Sequence, residues 1–240
     1  MKTDIKPENL MNLSFATMTV YALVTILTFI FVKIFSLNNR TFLAPLIFGN
    51  TGNIGLPLSY FAFGAEGLDY AVVIFALMGI YAFTFGVWIV SGGGGLIKTI
   101  KEPMVGATIL GALFLWQGWE TPQFITSTCE LVGQMAIPLM LITLGVAIAR
   151  LKPHNLFKAT GYAFVKLTIC TVCSLLVAYW FSLSHIPMAI LILQLTTPVA
   201  VTSYLIANKY EADSESVASL VIVSTILSIV YIPILLLFLI

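Results

Sequence analysis

The stretch Phe48-Gly49-Asn50-Thr51-Gly52-Asn53-Ile54-Gly55-Leu56-Pro57-Leu58 lies in the middle of an apolar run from Thr41 to Phe63. Glycine and proline weaken a helix at this point, and proline removes one backbone donor. The carbonyl and N–H groups set free cannot face lipid, where each unsatisfied group costs several kcal/mol, so they face protein or a watery cavity. Asn50 and Asn53 are three apart and project from one face of any helical turn. Their amides offer both donors and acceptors.

The chain around this stretch demands a membrane. Of its 240 residues, 60% are hydrophobic and 9% are charged, and the mean hydropathy is +1.05. Globular domains run near ~45–50% apolar and ~25% charged, so a soluble fold has no interior large enough for this composition. The formal net charge of +1 points to no nucleic-acid partner. Cys129, Cys170 and Cys173 give no disulfide framework; Cys170 and Cys173 share a helix face and read as small buried residues.

A span needs ~20 predominantly apolar residues. Cutting at charge and turn clusters predicts about eight transmembrane helices: Leu10–Leu37, Thr41–Phe63, Leu68–Val90, Met104–Trp119, Phe124–Ala149, Leu156–Leu183, Pro187–Ala207 and Ser216–Ile240. No period-2 alternation of the barrel type is present, so the fold class is all-α integral membrane. Arg40, then Lys98 and Lys101, then Arg150, Lys152 and Lys158, then Lys209 fall in alternate connections, which puts the basic loops on one side, the cytoplasm. Trp116, Trp119, Tyr179 and Trp180 fall near the predicted interfaces, where aromatic belts belong. A multi-pass protein of the plasma (inner) membrane follows, with the lipid bilayer as its first partner.

A second span is interrupted in the same way. Gln194-Leu195-Thr196-Thr197-Pro198-Val199-Ala200-Val201-Thr202-Ser203 holds a mid-span proline flanked by hydroxyl residues. A pair of Gly/Pro-interrupted spans in corresponding places of two halves points to a transporter site. Broken helices aim half-helix N-termini, with their partial positive charge, at the midplane, and an anionic group is the natural guest. The plain alternative is that both prolines only kink packed helices. The turns that follow the breaks are also alike: Phe63-Gly64-Ala65-Glu66-Gly67-Leu68-Asp69-Tyr70-Ala71 resembles Tyr210-Glu211-Ala212-Asp213-Ser214-Glu215-Ser216-Val217-Ala218, the expectation for an inverted repeat. Lys166 is the one charge well inside a span. It either snorkels to the cytoplasmic interface or points inward and balances a substrate carboxylate. The expected substrate-binding residues are therefore Asn50, Thr51, Gly52, Asn53, Pro57, Thr196, Thr197, Pro198 and Lys166, with no catalytic and no metal-ligating residues.

Gly49 to Leu58, together with Phe63-Gly64, resembles the auxin efflux carrier family of permeases, which includes plant auxin exporters and bacterial malate or malonate permeases. Ala136-Ile137-Pro138-Leu139-Met140-Leu141-Ile142-Thr143-Leu144-Gly145 resembles a second recurring segment of that family. Pro198 to Pro233, with Ala207, Tyr210 and Ser224-Thr225, resembles its last two helices. The resemblance runs from about Leu10 to the end. It implies the bile acid/arsenite/riboflavin transporter-like fold: ten helices in two inverted repeats of five, a scaffold domain and a transport domain, with the fourth helix of each repeat broken and the two breaks crossing at the substrate. An elevator or rocking movement would expose the site alternately.

Under that implication the chain is a single membrane transporter domain, 1–240. Residues 10–91 are transport-domain helices of the first repeat, 92–102 a cytoplasmic loop, 103–150 scaffold helices of the second repeat and 155–240 its transport-domain helices. The sequence departs from the family in having about eight spans. Leu10–Leu37 corresponds in order to the family's third helix, so the two N-terminal scaffold helices are expected to be absent.

The function expected is a secondary transporter moving a small organic anion, such as a dicarboxylate or an auxin-like carboxylate, by alternating access. The alternative is a truncated non-transporting remnant or a partner subunit of a transporter. A membrane enzyme is disfavoured: no HExxH, GxSxG, paired intramembrane aspartates or Cys–His pair is present. A channel is disfavoured by the lack of a repeated filter or charge ring. No cofactor is expected; a coupling ion, H+ or Na+, stays open, as does a homodimer.

Overall fold

The computed structural model describes residues 7–93, 106, 107, 110, 111, 113, 114, 117, 119 and 121–240. Most of the expected loop over 92–102 and of the expected span Met104–Trp119, Trp116 included, lies outside the described residues. Among the described residues every regular element is helical, and five helical stretches are long and apolar enough to cross a membrane. The protein is an all-α, multi-pass integral membrane protein.

The elements are α1 (Pro7–Ile34), α2 (Asn39–Ile47), a π-helical turn (Thr51–Gly55) that runs into α3 (Leu56–Tyr81), a second π-helical turn (Ala82–Gly86) and α4 (Val87–Val90). Beyond residue 120 come α5 (Gln123–Gln134), α6 (Ala136–Ala149), α7 (Leu156–Trp180), α8 (His185–Thr196), α9 (Val201–Lys209) and α10 (Ser214–Leu239). Local chemistry sets several of the starts. Asn38, Asn155 and Asp213 each accept a backbone N–H of the first turn of α2, α7 and α10 through a side-chain oxygen. Several hydroxyl residues inside the spans return their protons to the carbonyl four residues back, as Thr17 does to Leu13 and Thr171 to Leu167, so these cross the apolar region without an orphaned donor.

The turn expected over Gly64–Gly67 is smaller than the sequence suggests. A helical stretch of 40 residues, Thr51–Val90, passes through it, broken only at Gly64, where φ is 66° and ψ is −154°. That backbone region belongs to glycine almost alone. The chain nevertheless reverses there. Arg40, at the start of α2, donates from Nε to the Val90 carbonyl oxygen at 2.9 Å, so the chain that leaves one end of the bundle at Arg40 returns to it at Val90. The expected pair of spans, Thr41–Phe63 and Leu68–Val90, is preserved with a one-residue bend between them.

Arg40 also donates to the Tyr210 carbonyl oxygen at 2.7 Å, and the His154 N–H reaches Ser219 Oγ at 2.9 Å near the start of α10. The ends carrying Arg40, Lys152 and Lys209 thus gather at one end of the bundle, as the alternation of basic loops predicts. At the opposite end Asn12 Nδ2 donates to the Phe181 carbonyl oxygen at 3.1 Å, beside the exposed Tyr179 and Trp180.

Helix α7 is the hub. It packs on α1, α8 and α10 and buries Ala159, Ala163, Cys170, Cys173, Ser174, Val177 and Ala178, small residues that allow close helix approach without a hydrophobic driving force. Both cysteines are buried and free. By contrast α5 and α6 bury no residue; α6 touches the π-turn and α9.

Candidate functional site

The two interrupted spans meet. Helix α2 ends at Phe48, α8 ends at Thr197, and the extended residues between each pair of half-helices run antiparallel past one another. Gly49 pairs with Val199 as an isolated β-bridge. The Asn50 N–H donates to the Pro198 carbonyl oxygen at 2.7 Å and the Ala200 N–H to the Phe48 carbonyl oxygen at 3.3 Å. Each break therefore satisfies backbone groups of the other, the condition for irregular backbone at membrane depth. The approach is close enough to require glycine: a Cβ on Gly49 would overlap Thr197 Oγ1, and one on Gly55 would overlap the Gln194 side chain.

The first break holds itself. Asn50 caps the half-helix that follows, its Oδ1 accepting from the Asn53 N–H at 3.3 Å. Its carbonyl accepts from the N–H groups of both Ile54 and Gly55, at 3.2 and 3.1 Å, the second being the five-residue spacing of a π-turn, a geometry that concentrates at functional sites. Asn50 and Asn53 are thus a cap and its recipient, Asn50 buried and Asn53 half-buried. Two donors stay unused. Asn50 Nδ2 and Thr51 Oγ1 are buried without a hydrogen-bond partner, as is Gln194 Oε1 opposite them. An unpaired buried polar group costs about 1–3 kcal/mol, so three around one crossing call for an explanation. Gly52 is packed on the Phe75 ring, which a Cβ would meet at 2.8 Å. Pro57 is buried in the first turn of α3.

The second break is held from outside. Lys166, 3% exposed, does not snorkel: its ammonium donates to the Thr197 carbonyl oxygen at 3.0 Å and lies 3.9 Å from Cys170 Sγ. Tyr231 Oη donates to the Thr196 carbonyl oxygen at 2.6 Å. The Val199 N–H donates to Ser224 Oγ at 3.0 Å. Thr196 and Thr197 turn their hydroxyls back onto carbonyls of α8: Thr196 onto Ile192 at 2.8 Å and Thr197 onto Gln194 at 2.7 Å. The expected residues Thr196, Thr197, Pro198 and Lys166 are thus brought together, and Asn50 joins them through Pro198. Gln194, Ser224 and Tyr231 are not among the site residues expected from the sequence. Gln194, a lone amide in an apolar run, whose Nε2 donates to Ser59 Oγ at 3.3 Å, was the most visible of the three.

Beside the crossing lies a cavity of about 260 Å³, lined by Ile54, Pro57, Leu58, Leu141, Ser228 and Ile232 among others. It is almost wholly apolar and joins the first half-helix to α6, in the Ala136–Gly145 segment, and to α10. No cluster of three or more His, Cys, Asp or Glu able to hold a metal exists among the described residues.

Membrane-length helices and a crossing of two broken spans define the architecture of a membrane permease. The membrane transport protein family matches residues 92–236, which hold the Ala136–Gly145 and Pro198–Pro233 segments of the resemblance, and the chain belongs to that family. It is similar to an uncharacterized transporter of Methanothermobacter thermautotrophicus, 27% identical over 193 residues that cover 77% of this chain and 63% of the relative. It is similar also to the uncharacterized transporter MJ1031 of Methanocaldococcus jannaschii, 23% identical over 195 residues, again 77% and 63%. The chain spans less than two thirds of the length of these curated relatives.

Proposed function

We propose that the chain is a secondary transporter of a small organic anion, a dicarboxylate or an auxin-like carboxylate, that binds where the two breaks cross. The observation that carries this reading is the pair of unused buried donors, Asn50 Nδ2 and Thr51 Oγ1, at the N-terminal end of a half-helix. A carboxylate meets there two side-chain donors and the partial positive charge of the helix, with the Lys166 ammonium across the crossing adding to the potential. The apolar cavity along Pro57 and Leu141 suits the carbon body of such a solute. The helices of 10–91 and 155–240 form the moving transport part, α6 belongs to the scaffold, and the protein resides in the plasma membrane; no enzymatic role is proposed.

The test is uptake into proteoliposomes holding the purified chain, with labelled malate, malonate and an indole carboxylate. Saturable uptake of one of them, abolished in Asn50→Ala at equal expression, is the expected result. A folded, reconstituted chain that moves none of them supports instead the partner-subunit or non-transporting reading.

A further inference from the structure

We infer that the Lys166 ammonium takes the place of a coupling cation at the second break, so that transport needs no sodium. The inference rests on the transporter reading and deepens it. In carriers built from broken helices, the unwound carbonyls and C-terminal ends of half-helices are where Na+ is coordinated. The C-terminal end of α8 is such an end, and it carries partial negative charge in a medium of low dielectric. The residues around the small cavity there are Ala163, Lys166, Leu167, Thr196, Thr197, Pro198, Ser224, Leu227 and Tyr231, with no carboxylate among them.

Three facts assign the cation's position to Lys166. Its ammonium sits on the Thr197 carbonyl oxygen at 3.0 Å, the last carbonyl before Pro198. The side chain is 3% exposed, so its charge has no water to relax into and is offset by the helix end it caps. The space left beside it is about 10 Å³, close to the least that admits one water, so a second cation has no room. A lysine tethered in this way is part of the chain and, unlike a free cation, cannot leave to either side of the membrane.

The experiment uses the full purified chain and two readouts. Melting midpoints are measured in sodium, potassium and choline chloride at equal ionic strength, for the wild type, Lys166→Ala and Lys166→Gln. Uptake is measured in the same salts. For the wild type, midpoints and uptake equal in sodium and choline are expected; a sodium-dependent rise in either overturns the inference. In Lys166→Ala the midpoint falls, and sodium or methylammonium raises it again while choline, too large for the vacated space, does not. A folded Lys166→Ala whose midpoint ignores all small cations overturns the inference too. Should neither variant fold, the wild-type comparison decides alone. The midpoints are read whether or not any solute is transported, so a failure of the transporter reading shows as absent uptake and leaves this result standing.

Discussion

The two breaks cross at one point and are made in opposite ways. The first is self-contained: its irregular backbone is allowed by Gly49, Gly52 and Gly55, its helix is capped by its own Asn50, and it ends with donors to spare. The second is built on borrowed groups. Lys166 from α7, with Ser224 and Tyr231 from α10, holds Thr197, Val199 and Thr196. The difference teaches that one side of the crossing is a fixed seat and the other carries unspent hydrogen-bonding capacity. Substitutions in the second break should register mainly as lost stability, and those in the first as lost transport.

The largest effect should come where both breaks depend on one atom. Gly49→Ala pushes a methyl group into Thr197 and separates the crossing strands. Overpacking of this kind costs about 1–3 kcal/mol, and loss of the paired backbone bonds adds to it. Expected is a chain that fails to elute as a monodisperse species from size exclusion; a folded, active Gly49→Ala would show the bridge to be loose. Next, Asn50→Asp keeps an acceptor for the Asn53 N–H, so the cap survives, but replaces Nδ2 by an oxygen that repels an anion. Uptake should fall to background, out of proportion to the drop in melting midpoint that the buried carboxylate brings. If midpoint and uptake fell in proportion, Asn50 would be a cap and nothing more.

Ser224→Ala then leaves the Val199 N–H buried and unpaired, a penalty of about 1–3 kcal/mol, read as a lower midpoint with the substrate KM retained. Tyr231→Phe, which removes one donor from the Thr196 carbonyl, should be milder, about 1 kcal/mol. A Tyr231→Phe chain of wild-type stability but altered KM would erase the distinction between the two breaks.

The same contrast explains what was legible in the sequence. The first break advertises itself, because glycine, asparagine and proline inside an apolar run are chemically conspicuous within eleven residues. A second interrupted span also followed from Pro198 and its hydroxyl neighbours; that the two cross was implied by the family resemblance. The clamp on the second break was hidden. Ser224 and Tyr231 are ordinary residues of an apolar helix, and only the packing of α10 brings them to Val199 and Thr196. Lys166 was visible as a charge in a span, but its direction is a property of the fold of α7 against α8. Gly64 was read as the start of a short loop because acidic residues follow it; its single positive-φ backbone makes the whole reversal. The π-turn at Thr51–Gly55 has no periodicity signal at all, since five residues cannot display one.

The Gly49–Val199 bridge also constrains kinematics. Two rods riveted at their crossing lose the freedom to slide past one another: a shift of either chain by one residue would carry a carbonyl away from the N–H it serves and expose both to a medium without water. In any rearrangement that keeps these bonds, the two half-helix pairs are tied into a single body. Under the transporter reading proposed above, the exposed α6 would be the surface against which that body moves.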